Sequence, residues 1–309
     1  MKKFVLKITL LFVIIGICDF TFGVVMNHVV GRISIGSQGR DNFICNQVKE
    51  DVLVFGSSRA AHHYNAQMLE DSLGMTCYNC GDDGNGIILS YGRLLMIKER
   101  KAPKIVIHDI SAQFDLFKND NGKYLGWLKP RYEREGIRDI FDMVDKTEKY
   151  KMLSQMYRHN SKFLQNLVVY LSSKSSDTGI KGYRPINSAY DPMKFNKNKM
   201  AITKRKYDFD PLKLEFTNKF IDLAGDAKVL FIVSPMWYGS DSTQFAPIKE
   251  ICHRRGVLFL DYSNNPKYVH KEEYFKDGYH LNAKGADEFT KDLIKVLKSQ
   301  IDFPSQSKQ

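Results

Sequence analysis

Cysteine is scarce in this chain: five residues in 309, an odd number. That excludes the disulfide framework on which small secreted domains depend. Cys77-Tyr-Asn-Cys80 has redox or zinc spacing, yet no second pair and no histidine ligand set accompanies it. The two thiols therefore read as small, semi-buried strand residues rather than a metal site, with a Cys77–Cys80 disulfide as the alternative for an exported domain. Internal repeats are absent, which removes solenoids and propellers. Hairpin turn signals are also missing, which argues against an antiparallel sheet. A hydrophobic content of 43% with 26% charged residues excludes both disorder and a polytopic membrane protein. At this length the chain buries one large core or two modest ones.

What is present begins with basic charge, a formal +11. Between Lys181 and Lys206 eight cations (Lys181, Arg184, Lys194, Lys197, Lys199, Lys204, Arg205, Lys206) face one acid, Asp191. Such a stretch favours anionic partners such as acidic glycans, lipid headgroups or phosphates, or it is a solvated loop. Nucleic acid is disfavoured by location. Lys2 and Lys3 precede the apolar run Ile8 to Cys18, and apolar residues resume from Phe20 to Met26. Taken together, residues 4 to 26 are long enough to span a bilayer, with Lys7 snorkelling and the positive end cytoplasmic. The segment reads as an uncleaved anchor. A cleaved signal peptide ending near Thr21-Phe-Gly23 competes, and a lipoprotein reading of Cys18 is opposed by Ile17. Both leading readings export the bulk of the chain.

Along the rest, residues 1–29 form the anchor or signal segment, 30–49 a polar linker, 50–300 the main domain and 301–309 a polar tail. Strand signals recur at Asp51 to Phe55, Met75 to Asn79, Ile105 to Ile107, Lys228 to Val233 and Val257 to Leu260. Helical periodicity separates them, over Ala60 to Leu73, Ile87 to Arg100, Phe245 to Arg255 and Ala283 to Ser299. This alternation predicts an α/β fold, a doubly wound parallel five-stranded sheet with helices on both faces. The stretch at about 117–216 fits the alternation poorly. Its amphipathic patches (Ile137 to Met143, Phe163 to Leu171) read as an insertion over the C-terminal edge of the sheet, where insertions shape ligand access.

Two motifs carry chemistry. Val52-Leu-Val-Phe55 breaks at Gly56 into Ser57-Ser58-Arg59, the way a buried strand delivers a hydroxyl to the top of a sheet. Asp277-Gly-Tyr-His280-Leu281 places an acid and an imidazole three residues apart, before the closing helix. A serine needs a base to be nucleophilic at neutral pH, and the base needs an orienting group. Ser58, His280 and Asp277 form such a set. His62 and His63, on the helix leaving Ser58, read as surface or packing residues, and Arg59 as facing solvent or paired locally. Trp237-Tyr238 reads equally as a sugar-stacking pair or as packing. Asp261 reads as a turn residue.

In these blocks the chain resembles the SGNH/GDSL hydrolase superfamily, and more narrowly its membrane-anchored branch linked to cell-surface polysaccharide acylation. Gly56-Ser57-Ser58 matches the first block and makes Ser58 the nucleophile. Asn79 and Gly84 match the second; Asp277, His280 and Leu281, followed by Asn282 and Gly285, match the last. The resemblance covers about residues 50–117 and 225–300. The third block departs: where the family has Gly-x-Asn-Asp, this chain reads His108-Asp109-Ile-Ser111-Ala-Gln113, without asparagine. One oxyanion donor is worth about 2.7–4 kcal/mol.

The resemblance implies a serine-dependent esterase or O-acyltransferase of O-acetyl type, acting on a cell-envelope carbohydrate or another small ester. Backbone N–H groups of Ser58 and Gly84 would face the oxyanion, with Asn85, Ser111 or Gln113 as the substitute third donor. It implies no cofactor and no metal. The setting is the bacterial inner membrane, single-pass with a periplasmic domain, and a membrane-bound acyltransferase is a candidate partner. An inactive scaffold of a polysaccharide-modifying complex is the competing expectation.

Overall fold

The computed structural model describes residues 1–160, 162–172, 179–188 and 207–300. Lys194, Lys197, Lys199, Lys204, Arg205, Lys206 and Asp191 of the basic stretch lie outside the described residues, as does the tail. The chain divides into two compact units: Met1–Gln47 with Asp120–Asp177, and Val48–Asn119 with Thr178–Gln309.

The second unit is built on five strands: β1 (Val52–Gly56), β2 (Cys77–Asn79), β3 (Ile105–Asp109), β4 (Lys228–Val233) and β5 (Leu258–Asp261). All pairings are parallel, in the order β2-β1-β3-β4-β5. β1 and β3 are buried along their whole length, which is why Val52–Phe55 and Ile105–Ile107 read as apolar runs, and β3 continues through the buried His108 and Asp109. Val52, Val54, Ile107, Leu230 and Ile232 point to one face. There they join Tyr64, Leu69, Phe289 and Leu293 of helices Ser58–His63, Ala66–Leu73 and Ala283–Gln300. On the other face Phe55 and His108 meet Phe220 of helix Pro211–Ala224 edge-on at 5.6 and 5.5 Å, and Phe231 meets it tilted at 6.3 Å. Helices thus cover both faces, as a doubly wound sheet requires. The chain reverses direction across the sheet between β1 and β3, where the C-terminal crevice of such a fold opens.

The long helix expected at Ala60 to Leu73 is two. Tyr64 is extended (φ −115°, ψ 105°), and Asn65 caps the second helix by accepting from the Met68 N–H at 3.2 Å. The helix Pro211–Ala224, with Asp210 as N-cap and Pro at its first turn, was not anticipated.

The first unit carries helix Lys2–Arg32, 31 residues, long and apolar enough to cross a membrane. The expected linker at 30–49 is instead partly helical, Gly36–Asn46, with Gln38, Arg40, Asp41 and Asn42 buried. Its polar composition concealed a packed element because its polar groups are paired. Asn42 donates to the Val30 and Ile33 carbonyls at 2.6 and 2.9 Å, and Asp41 meets Arg131 at 2.7 Å. Of the described residues in the span expected as an insertion at 117–216, 120–160 and 162–172 cluster with this N-terminal segment, and 117–119, 179–188 and 207–216 with the sheet.

Candidate active site

Ser58 begins the helix that leaves β1, and His280 lies on the loop before the closing helix. Folding brings them together: Ser58 Oγ is 2.8 Å from His280 Nε2. His280 Nδ1 lies 3.0 Å from both Asp277 carboxylate oxygens. A carboxylate only accepts, so Nδ1 carries the proton and Nε2 is left to accept from the Ser58 hydroxyl. Asp277 is itself held by the N–H groups of Tyr279 and His280, each at 2.9 Å. Burial favours its neutral form. The His280 hydrogen bond and charge, with those two backbone donors, outweigh it and keep the carboxyl below its ordinary pKa. All three groups are partly exposed, as substrate access demands.

The turn at Gly56 sets the aim of Ser58. Gly56 has φ +133°, and a Cβ there would stand 2.6 Å from the Asp109 carbonyl oxygen. Gly56 pairs with Asp109 of β3 on one side and its carbonyl accepts from the Asp82 N–H at 2.9 Å on the other. The segments carrying Gly84 and Ser111 therefore leave the sheet on either side of the Ser58 turn. Gly84 has φ +70° and open space where a side chain would stand. Asn85 uses its amide on the Asp83 carbonyl at 3.0 Å. The Ser111 N–H is engaged by Asp115, and Gln113 is exposed. Asn79, matched to the second block, braces the turn: its amide donates to the Ala60 and Tyr64 carbonyls at 2.7 and 3.0 Å.

Arg59 does not face solvent. It is buried, donates to the Ile110 carbonyl and pairs with Asp109 at 3.2 Å. Asp109, fully buried at the end of β3, also accepts from Tyr64 Oη at 2.6 Å and the Ser234 N–H at 3.2 Å. An acid in the apolar run Ile105 to Ile110 needs such partners. Of the two readings of His63, surface or packing, the structure shows the interior one. Its Nε2 accepts from the Leu281 N–H at 3.0 Å, so its proton is on Nδ1, donated to Ser234 Oγ at 2.9 Å. Burial first, then the charges of His280, Arg59 and His62, depress its pKa well below the usual imidazole value. His62 is partly exposed beside the site, its ring centroid 5.9 Å from that of His280, and its Nδ1 donates to the Arg184 carbonyl at 2.6 Å. Sequence reasoning passed over this layer; the available signals were an acid inside a buried strand and a cation four residues before His63.

Trp237 is 8% exposed and packs edge-on against His270 and Phe275 at 5.5 and 5.9 Å, which answers the sugar-stacking alternative in favour of packing. Its N–H donates to the Gly278 carbonyl at 3.2 Å and so steadies the Asp277–His280 loop. Tyr238 is partly buried beside it. Asp261 accepts from the Ser263 N–H at 3.0 Å, a turn contact. Asn282 caps the closing helix by accepting from the Gly285 N–H at 2.9 Å. Cys77 and Cys80 are buried and not joined in a disulfide. Among the described residues no group of three or more His, Cys, Asp or Glu could hold a metal ion.

No family model matches this chain, and no curated protein matches its sequence. Solved structures similar to it include a Bacteroides fragilis protein assigned as an acylhydrolase, 12% identical over 84% of this chain and 96% of that one, with a TM-score of 0.40. A Streptococcus pneumoniae protein assigned as a platelet activating factor is 12% identical over 95% of this chain and 99% of its own, with a TM-score of 0.41. The acetyl xylan esterase Est2A of the rumen bacterium Butyrivibrio proteoclasticus is 10% identical over 82% of this chain and 65% of its own, with a TM-score of 0.36.

Proposed function

We propose that this chain is a serine-dependent esterase or O-acyltransferase with Ser58 as nucleophile, His280 as general base and acid, and Asp277 as the orienting group. The observation that carries the reading is the unbroken hydrogen-bonded chain from Ser58 through His280 to Asp277. Ser58 Oγ attacks an ester carbonyl while His280 Nε2 takes its proton. The tetrahedral intermediate collapses to acyl-Ser58, and the leaving alcohol takes the proton back from His280. Water, or a sugar hydroxyl, then attacks the acyl group through the same base, and Ser58 is regenerated. N–H groups of Ser58 and Gly84 face the oxyanion in this scheme. The carbohydrate substrate and the acetyl group rest on the motif resemblance to SGNH/GDSL hydrolases. Helix Lys2–Arg32 supports a single-pass anchor with the sheet unit outside the cytoplasm.

A scaffold reading is favoured by one observation: Asp109, in the block where the family's asparagine is expected, is committed to Arg59 and Tyr64. Hydrolysis of a chromogenic acetate ester separates the two. The enzyme reading expects turnover that Ser58→Ala reduces by about 10⁴-fold or more. A folded protein without turnover, or with turnover that Ser58→Ala leaves intact, refutes it.

A further inference from the structure

Helix Phe163–Leu171 is apolar on both sides, although only one side is packed. Phe163 and Val169 rest against Met26, Val29, Val30 and Ile33 of the N-terminal segment. Between them Asn166 is buried, with its amide on Gln38. The opposite side carries Leu164, Leu167, Val168 and Leu171, at the i, i+3, i+4, i+7 spacing of one helical stripe. Leu164, Val168 and Leu171 are 64%, 67% and 73% exposed. A helix apolar all round belongs in a core or in lipid.

The depth of this helix follows from helix Lys2–Arg32. Its exposed apolar side chains run from Phe4 to Val25. From Val5 to Val25 the helix rises about 30 Å, the thickness of a hydrocarbon core. Asp19 falls inside that interval, and there it accepts from Ser154 Oγ and from the N–H groups of Gln155 and Met156, at 2.7 to 2.8 Å. A bilayer long enough to cover the apolar surface of the first helix therefore also meets the turn at 153–156. Leu153 and Met156 in that turn are exposed. One level on, Phe22 meets Phe163 edge-on at 5.8 Å, which puts the start of helix Phe163–Leu171 at the same height. The acid at this depth is paired with three donors, as membrane immersion requires. Tyr150 and Tyr170 are exposed nearby, the residue type that marks a membrane–water boundary.

We propose that residues 150–171 are a second membrane contact. The turn at 153–156 and the outer stripe of helix Phe163–Leu171 are immersed in one face of the bilayer, continuous with the lipid-facing surface of the spanning helix. The occupant of the stripe is the lipid bilayer itself. This rests on the anchor reading above, and the consequence goes beyond it: the chain is held by an embedded helical platform rather than by a single flexible span.

The test uses the full-length protein in proteoliposomes. In a Cys18→Ser background the remaining native thiols are buried, so Leu164→Cys, Val168→Cys and the control Glu250→Cys each take one environment-sensitive NBD label. The expected result is blue-shifted emission at 164 and 168, quenched several-fold by lipids brominated on their acyl chains, with neither effect at 250. Retention of the protein through alkaline carbonate, with water-like emission at 164 and 168, overturns this proposal and leaves the anchor standing. Blue-shifted emission without bromolipid quenching also overturns it, because a protein surface then covers the stripe. Release by carbonate removes the anchor and this proposal together.

Discussion

Burial keeps the His63 ring neutral while His280, its ring centroid 6.3 Å away, is the group that takes up a proton in the proposed reaction. The two are joined through the backbone, since His63 holds the N–H of Leu281, the residue after the base. His63→Ala leaves that N–H and Ser234 Oγ without their partner. An unsatisfied buried group costs about 1–3 kcal/mol, which urea unfolding of the detergent-solubilised protein will read. Because burial holds the folded pKa of His63 well below the ordinary imidazole value of 6.5, the unfolded chain binds the proton more readily. Its contribution to stability is complete above about pH 6.5 and is lost as pH falls below it toward the folded value. The fall in unfolding midpoint over that acid range should be shallower in His63→Gln than in the wild type. Asp277 behaves like other depressed carboxyls: its contribution is present above the ordinary carboxyl value of 3.8 and lost only below it. As pH falls, the His63 effect therefore sets in before that of Asp277. Arg59→Met strips the counter-charge from a fully buried Asp109, a loss of about 3–5 kcal/mol that Asp109→Asn in the same chain should partly relieve. Asp277→Asn releases the tautomer of His280 and should lower kcat by about 10⁴-fold on a chromogenic ester.

At the scale of elements, the strand ends do the positioning. Gly56→Ala forces a Cβ into φ +133° and against the Asp109 carbonyl oxygen. The backbone strain alone is about 1–3 kcal/mol, and the clash must move either β3 or Ser58. Esterase activity should fall further than thermal stability does; equal activity in a folded Gly56→Ala variant would refute the role of this turn. The inner strands were legible because parallel strands buried on both faces are apolar runs bounded by polar turns, and the half-buried edge strand β5 keeps the short apolar run Leu258–Leu260. The candidate set was readable as motifs: Ser58 follows the end of β1, and Asp277 and His280 lie three residues apart on the loop before the closing helix. The layer behind them was not. Arg59, His63, Tyr64, Asp109 and Ser234 come from different elements, and only folding makes them neighbours. The same reason hid the break at Tyr64, which serves its bond to Asp109. It also hid helix Gly36–Asn46, whose buried polar residues carry no apolar stripe. The absence of an asparagine after β3 was visible in the sequence, but the ion pair between Asp109 and Arg59 was not.

The whole molecule joins a unit carrying a long apolar helix to a unit carrying the sheet and the candidate site. In the proposed reading the first unit is the anchor and the second carries the acyl-transferring serine. The central claim is the reactivity of one hydroxyl, and mass spectrometry after incubation with a serine-directed fluorophosphonate tests it most directly. The account predicts a single adduct on the peptide containing Ser58, absent in Ser58→Ala and strongly reduced in His280→Ala. A folded sample that takes up no label, or takes it up at another serine, would contradict it.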